Sequence, residues 1–547
     1  MSDEIKEYTK EQLQHFSNSL LVEMVYTMQQ QIAAQNRKLD ELTEYLNTHL
    51  DHRFGRRTEK LDQIDHQMEF CFNEAEITIV DASEAELREP EIEDINPSQP
   101  SEKKTSHNRK PREVGKLDEL LKPFSVVNVP HKLDESELQC KCGGTYTEIG
   151  KKTYRQLAFH PASFEVEEHT VYTYKCNSCG SIITAPHPIK PFDKSVASPS
   201  LLAGIMTAKY VNAVTFMRLE KTFSEHSALL TRQKMAHWMI NVSDLYFSQI
   251  YDCLKQDLLT CNVVHADETT VKVAKDGRPA GSTSYMWVYT KEADQHPVVI
   301  FEYQKTRAHI HAKEFLENYH GFLCCDGYDA YHHLGESIVI CGCWAHARRH
   351  FANAVKALQG KPAYSEELKI SEEALQRIAS LFRKDNQWKD LSEEEHLLKR
   401  TVDLKKDLDD YFNWIRKQVE SKKARPKSET GKGLTYSLNQ EVYLRGFISN
   451  AQVPLDNSEA ERKIRNFVIS RKNFVMIDSL AGAQSSAVLF SMAETAKAND
   501  LKPYAYFEYI LQVLPQHRDD PEDQRRQFII DNLLPWSPNL PEYIRKS

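Results

Sequence analysis

A chain of 547 residues with 40% hydrophobic content is long enough for roughly three or four domains, each with its own core. No apolar run approaches the ~18 residues that a membrane span needs, and the opening Met-Ser-Asp-Glu-Ile-Lys lacks the basic and apolar segments of a signal peptide. A cytoplasmic chain with free or metal-bound cysteines is therefore expected. The net charge of −9 argues against a nucleic-acid partner until its distribution is read. Residues 1–100 hold 22 acidic and 9 basic residues, a net of −13, so the remaining 447 residues are net +4, and local fields matter more than totals.

From about residue 10 to 70 the chain lacks proline. Leu21, Val25, Met28, Ile32, Gln35, Leu39, Leu42 and Leu46 alternate four- and three-residue steps, a heptad seam with Gln35 as its polar member. One reading is an amphipathic helix packed on its own protein. The favoured one is a coiled coil between chains spanning 1–73, because a linker follows and no neighbouring domain offers a docking face. Residues 74–94 hold nine acids against Arg88, and 95–115 turn basic with Lys103, Lys104, Arg109, Lys110 and Arg112 among Pro97, Pro100 and Pro111. Such composition builds no core, so 74–124 read as a disordered linker, acidic and then basic.

Residues 125–195 carry Cys140, Cys142, Cys176 and Cys179, with Gly143-Gly144 and Asn177-Ser178-Cys179-Gly180 as tight knuckles and an alternating stretch from Tyr154 to Tyr174 between the pairs. Four thiolates in two pairs suit one structural Zn2+ in a small zinc-ribbon-like β module; four free buried cysteines are the alternative. Residues 196–255 read as helical. Thr231 is placed to cap a second helix opening with Arg232 and Lys234, and this helix pair suggests a helix-turn-helix contacting DNA, with plain packing beside the next domain as the alternative.

Residues 256–500 alternate. Asn262–Ala266, Tyr285–Thr290 and Val298–Tyr303 read as strands, Ala312–Tyr319 as a helix, Phe322–Cys325 and Ile338–Cys343 as strands, and Ala345–Leu358 as a helix. That order is the one expected of an RNase H-like α/β domain, in which the first and fourth strands are neighbours. Apolar helical spacing over 355–450 marks a helical insertion, helix resumes near Ser458–Arg465 and Ala483–Ala498, and 501–547 form a helical tail. Asp267 and Asp326 each end an apolar strand run, while Glu461 opens a polar helix. Carboxylates brought together at the rim of a sheet hold Mg2+ or Mn2+, and two such ions clamp the attacking and leaving oxygens of a phosphodiester.

Five blocks occur in one order: His265-Ala266-Asp267-Glu268-Thr269, Asp326-Gly327-Tyr328, Cys343-Trp344-Ala345-His346-Ala347-Arg348-Arg349, Asp456-Asn457 with Glu461-Arg462, and Arg471-Lys472-Asn473. Together they resemble the insertion-sequence-66 family of bacterial transposases (TnpC-type, DDE superfamily). Phe54-Gly55-Arg56-Arg57-Thr58-Glu59-Lys60, the cysteines at 140–179 and Leu533-Leu534-Pro535-Trp536 extend the resemblance over most of the chain. Ser458 stands where the family usually has a second Asn, and Cys140 and Cys142 are one residue apart where it usually has two between them.

The resemblance implies a metal-dependent transposase that cleaves DNA at terminal inverted repeats and joins the strands to a target. Asp267, Asp326 and Glu461 would hold two Mg2+ ions. It also implies double-stranded DNA, further copies of the chain and small accessory proteins of the same element as partners, in a bacterial cytoplasm at the nucleoid. Arg462, Arg465, Arg471, Lys472 and Asn473 adjoin the catalytic Glu and are expected at DNA, as are Arg348 and Arg349. His346 is a candidate to orient a phosphate or a metal-bound water, and Trp414 to stack on an extruded base. A catalytically silent DNA-binding derivative and an RNase H-like nuclease without strand transfer are the competing readings.

Overall fold

The computed structural model describes residues 16–32 and 35, 173–175, 182–184, 189–192 and 195–546, apart from 227, 280, 292–295 and 359–364. The chain divides into two compact units, residues 1–78 with 170–547, and residues 79–169. The second unit, Cys140 and Cys142 within it, and Cys176 and Cys179 all lie outside the described residues, as do the linker and the heptad positions beyond Gln35. Among the described residues no helix is long and apolar enough to cross a membrane.

Residues 18–32 are helical, and the seam residues Val25, Met28 and Ile32 are exposed. Strands β1 (Thr173–Lys175) and β2 (Ile182–Thr184) pair antiparallel, with Lys175 opposite Ile182. The link between them is segment 176–181, which carries Cys176 and Cys179. Four helices follow: α1 (Pro199–Met206), α2 (Phe216–Glu225), α3 (Arg232–Val242) and α4 (Ser248–Leu258). Each of the first three starts at a hydroxyl cap, which accepts from an otherwise orphaned backbone N–H. Thr231 is the cap of α3, as the sequence suggests, its Oγ1 accepting from Lys234 N at 3.3 Å.

The sheet is built from β3 (Val263–Lys275), β4 (Thr283–Lys291), β5 (Val298–Gln304), β6 (Gly321–Cys325), β7 (Ile338–Gly342) and the short β8 (Ile477–Ser479). Its order is β5-β4-β3-β6-β7, with β8 pairing β3 farther along. Strands β3 to β5 are antiparallel neighbours, and β6 and β7 run parallel to β3. The first and fourth strands of the series are thus adjacent, as the element order anticipates. A helix α5 (His309–Phe315) crosses from β5 to β6, and only a 3-10 turn at Asp329–His333 separates β6 from β7.

One strand differs from the sequence reading. Asn262–Ala266 becomes a thirteen-residue strand, so Asp267 is the fifth residue of β3 and not at its end. The apolar run stops at Asp267, but Thr269, Thr270, Val271 and Val273 keep the chain extended, and pairing with β4 continues to Lys272↔Thr283.

Helix α6 (Trp344–Leu358) follows β7, and the insertion comprises α7 (Ser365–Gln387), α8 (Glu393–Lys399), α9 (Lys405–Ser421), α10 (Glu429–Asn439) and α11 (Glu441–Leu444). The chain returns through α12 (Ser458–Phe474), α13 (Leu480–Ala498), α14 (Pro503–Val513) and α15 (Glu522–Asn532). Two apolar cores result. One gathers α1–α5, the sheet and α12–α15; the other gathers α6 with the insertion and reaches the sheet at Cys324 and Cys341.

The outer edge of β5 is closed by side chains. Ser491 and Thr495 on α13 accept from Phe301 N at 2.7 Å and Val299 N at 3.0 Å, and Thr495 Oγ1 donates to Val299 O at 3.0 Å. Two hydroxyls thereby stand in for a neighbouring strand, satisfying backbone groups that would otherwise invite edge pairing.

Candidate active site

The β3–β6 register pairs Val263 with Phe322, Val264 with Leu323 and His265 with Cys324. Carried two residues on, the same offset sets Asp267 level with Asp326, one residue past the end of β6. Residues at one level of parallel strands point to one face, so the two carboxyls share a side of the sheet. Asp267 Oδ1 accepts from Glu268 N at 2.8 Å and Asp326 Oδ1 from Tyr328 N at 2.9 Å. Gly327 is needed beside Asp326, since a Cβ there would lie 2.9 Å from the Tyr436 ring.

Glu461 comes from the first turn of α12. Burial pushes the Asp267 carboxyl well above the usual range, and the charges of Glu268, Glu461 and Asp326 push it further. Glu461 is also raised, by burial first and then by Asp456 and Asp326 against the opposing pull of Arg349. The charges of Asp326 and Glu461 thus reach Asp267, and that of Asp326 reaches Glu461. Such a cluster of hard oxygen donors, two of them held up by burial and mutual repulsion, is a chemical fit to a divalent cation, whose charge offsets both effects. Among the described residues, no three His, Cys, Asp or Glu side chains stand close enough together to hold a metal ion as they are.

Around these acids stand cations and a histidine. His346 Nε2 is 3.7 Å and Arg349 Nη2 3.5 Å from Glu461 Oε1. Burial, then Arg349 and His350, push the imidazole of His346 down to about 3, so it is neutral near pH 7, and its buried Nδ1 meets no hydrogen-bond partner among the described residues. Arg348 is half-buried on the same helix.

Two further residues stand beside the acids: Arg307, which no motif marks, and Asn457, which lies in the Asp456-Asn457 block with no role assigned there. Arg307, in the loop after β5, pairs with the buried Glu268 through Nε at 2.6 Å, stands 4.0 Å from Asp326 Oδ2 and lies 3.4 Å over the Tyr328 ring. Glu268 also accepts from Tyr331 Oη at 2.6 Å. The fully buried Asn457, four residues before Glu461, bonds to His265, Ala266 and Cys343. An acid beside Asp267 on the opposite strand face needs a cation, which hints that a residue like Arg307 exists but not where.

The expected DNA contacts divide. Lys472 is exposed, Arg465 is half-buried, and Arg462 is exposed but pairs with Glu459. Arg471 bonds to Thr269 Oγ1 at 3.0 Å and Thr270 Oγ1 at 2.9 Å, and Asn473 Nδ2 donates to Ala213 O at 3.0 Å. Those two tie α12 to β3 and to the segment before α2, so at least part of their hydrogen bonding is internal. Arg232 and Lys234 are exposed at the start of α3, Lys234 lying 5.2 Å over the Trp238 ring. Trp414 is 9% exposed in the insertion core, packed against Tyr411 with Arg377 over its ring; burial leaves it no open face for a base.

The sequence profile described as "Transposase IS66 family" matches residues 194–485, a span holding all three acids and more than half of the chain. The chain belongs to the IS66 transposase family. The family's C-terminal element matches residues 491–536, and its zinc-finger binding domain matches 137–180, the segment with all four paired cysteines. A profile described as "Transposase C of IS166 homeodomain" matches 41–122, running from the heptad region into the segment read as linker. Among similar chains are three proteins of Sinorhizobium fredii (strain NBRC 101917 / NGR234) bearing the description uncharacterized. They are y4jD, 26% identical over 78% of this chain and 82% of its own length; y4hP, 25% over 88% and 86%; and y4qI, 23% over 92% and 89%.

Proposed function

We propose that this IS66 transposase cleaves DNA at the ends of its element and joins the freed 3′-hydroxyls to a target, using Asp267, Asp326 and Glu461 on an RNase H-like sheet. The observation that carries this reading is the alignment of Asp267 and Asp326 at one level of neighbouring parallel strands, electrostatically coupled to Glu461 from α12. These three carboxylates would hold Mg2+ or Mn2+. When bound, the ions activate the attacking oxygen and stabilise charge on the reacting phosphate.

The chain's own groups do the rest. Arg349 and Arg307 offset the negative charge of the acid cluster and hold Glu461 and Asp326 in place. Neutral His346 would hydrogen-bond the attacking water or hydroxyl, a role supported by its Nε2 standing 3.7 Å from Glu461 Oε1. Arg348 on the helix of His346, and Arg462, Arg465 and Lys472 on the helix of Glu461, are suited to DNA phosphates, as are Arg232 and Lys234 where α3 begins. Cys140, Cys142, Cys176 and Cys179 would hold one structural Zn2+, and pairing of β1 with β2 supports this by folding the strands flanking Cys176 and Cys179 into a hairpin. The N-terminal helix, with its seam residues exposed, would pair with that of a second copy and so hold two DNA ends together.

The test is strand cleavage and joining on DNA carrying the element's own ends. Asp267→Ala should abolish both while DNA affinity stays within about three-fold, because the lost group acts on the reacting phosphate and not on the backbone contacts. Undiminished cleavage by this variant would refute the assignment; cleavage without joining by the wild type would make the protein a nuclease.

A further inference from the structure

We infer that Asn457 is the positioning residue that fixes Glu461 against Asp267, an inference resting on the acid reading above. Its side chain is 1% exposed and every polar atom of the residue is engaged. Nδ2 donates to Ala266 O at 2.8 Å, the peptide oxygen immediately before Asp267. Because that nitrogen is the donor, Oδ1 faces His265 Nδ1 at 3.0 Å as the acceptor, so His265 carries its proton on Nδ1. The backbone N–H donates to Cys343 Sγ at 3.2 Å, and the backbone oxygen accepts from Glu461 N at 3.3 Å, one helical turn on.

One residue therefore joins three segments, its side-chain amide holding the strand of Asp267 and its main chain the other two. They are the strand that carries Asp267, the junction leading into His346 and Arg349, and the helix that presents Glu461. The β3–β6 ladder ends at His265↔Cys324, and Asn457 supplies a further donor to β3 at the next residue. No common substitute reproduces this. Asp cannot donate to Ala266 O, Leu does neither job, and Gln carries its amide one methylene too far. Glu461 lies 194 residues from Asp267 in sequence, and Asn457 bonds both to Ala266, which adjoins Asp267, and to the backbone N–H of Glu461 itself.

The experiment uses the full chain, with Mn2+ as probe. Mn2+ affinity is read from the spin-resonance signal of the free ion, and cleavage of end DNA from single-turnover rates at saturating protein. Asn457→Ala should weaken Mn2+ binding by ~10–100-fold, the range for loss of a group that orients metal ligands. It should slow cleavage by about 100-fold, as expected when a reacting group shifts by ~1 Å, with DNA affinity unchanged. Ser491→Ala, two strands from β3, removes a buried hydrogen bond without touching the acids. It should lower the melting temperature and leave both readouts within about two-fold, since a lost bond at a distant site does not couple to the acids.

A second pair carries the test should Asn457→Ala fail to fold. His265→Asn places a donor where Nδ1 stands and His265→Leu does not, so the Asn form should bind Mn2+ at least several-fold more tightly. The inference is overturned if Asn457→Ala binds Mn2+ like the wild type, if Ser491→Ala matches its losses, or if the two His265 variants are equal. Loss of Mn2+ binding in Asp267→Ala with none in Asn457→Ala overturns this inference alone; retention in both overturns the acid reading as well.

Discussion

Arg400 offers the sharpest test of how the insertion is held. Its side chain is 2% exposed and that of its partner Asp385 is 7% exposed. Nε and Nη2 meet the two Asp385 oxygens at 2.7 and 2.9 Å, while Nη1 donates to the carbonyls of Phe447, Asn450 and Val453 at 3.1, 2.6 and 2.8 Å. Arg400→Met keeps most of the volume and removes every donor. It leaves a buried carboxylate with His396 as a remaining partner, at 2.9 Å, and three carbonyls without this donor. Breaking one side of a buried pair costs about 3–5 kcal/mol. The loop from Phe447 to Val453 should loosen, and that loop runs into Asp456 and the helix of Glu461. Urea unfolding should show the loss, and hydrogen exchange should localise it to residues 446–455. Adding Asp385→Leu should restore most of the stability, because the uncompensated charge is gone. A single variant within ~1 kcal/mol of the wild type, or a double variant no better than the single, would refute this account.

Glu302 on β5 is pushed up to about 7, by burial first and against the pull of Lys255. A raised carboxyl contributes stability that is complete below about pH 4.5, its unfolded value, and is lost as pH rises through about 7. Glu302→Gln should therefore match the wild type at pH 5 and unfold at higher urea at pH 8, and equal midpoints at pH 8 would count against it. Purified protein should carry about one zinc per chain, and Cys176→Ser should lower that content; elemental analysis finding none in the wild type removes the zinc site. Sedimentation of the full chain should show an oligomer that a version beginning near Gly115 does not form, whereas monomers in both would leave the exposed seam of residues 18–32 without its proposed role.

What the sequence made legible follows the range of each signal. Asp326 sits where an apolar run of β6 ends, and Glu461 in a polar segment that opens α12, so both were visible from neighbours a few residues away. Asp267 is marked by the end of an apolar run, but its strand continues beyond it, because a run-based reading stops at the first charge while cross-strand pairing with β4 does not. Arg307 and Asn457 were assigned no role, since each acts on groups far away: Glu268 for the first, His265 and Ala266 for the second. Arg471 and Asn473 show the converse. Their basic and polar character read as DNA contact, yet they hydrogen-bond Thr269, Thr270 and Ala213, partners more than two hundred residues earlier.

The division into two cores explains why so long an insertion can interrupt a site without dispersing it. Glu461 rides on a helix whose Ala460, Ile464 and Phe467 pack in the same core as the strand of Asp267. The insertion therefore need not position the third acid; α12 docks on the sheet by its own apolar face. His346 and Arg349, by contrast, lie on α6, whose Trp344, Ala347 and Phe351 pack with the insertion. Trp344 is further fixed by Nε1 donating to Leu444 O and by its backbone N–H donating to Leu455 O, both at 2.9 Å. The acids thus belong to one core and the groups that neutralise Glu461 to the other. Loosening the insertion should disturb the balance of charge around Glu461 before it disturbs the alignment of Asp267 with Asp326, which follows the backbone pairing between β3 and β6.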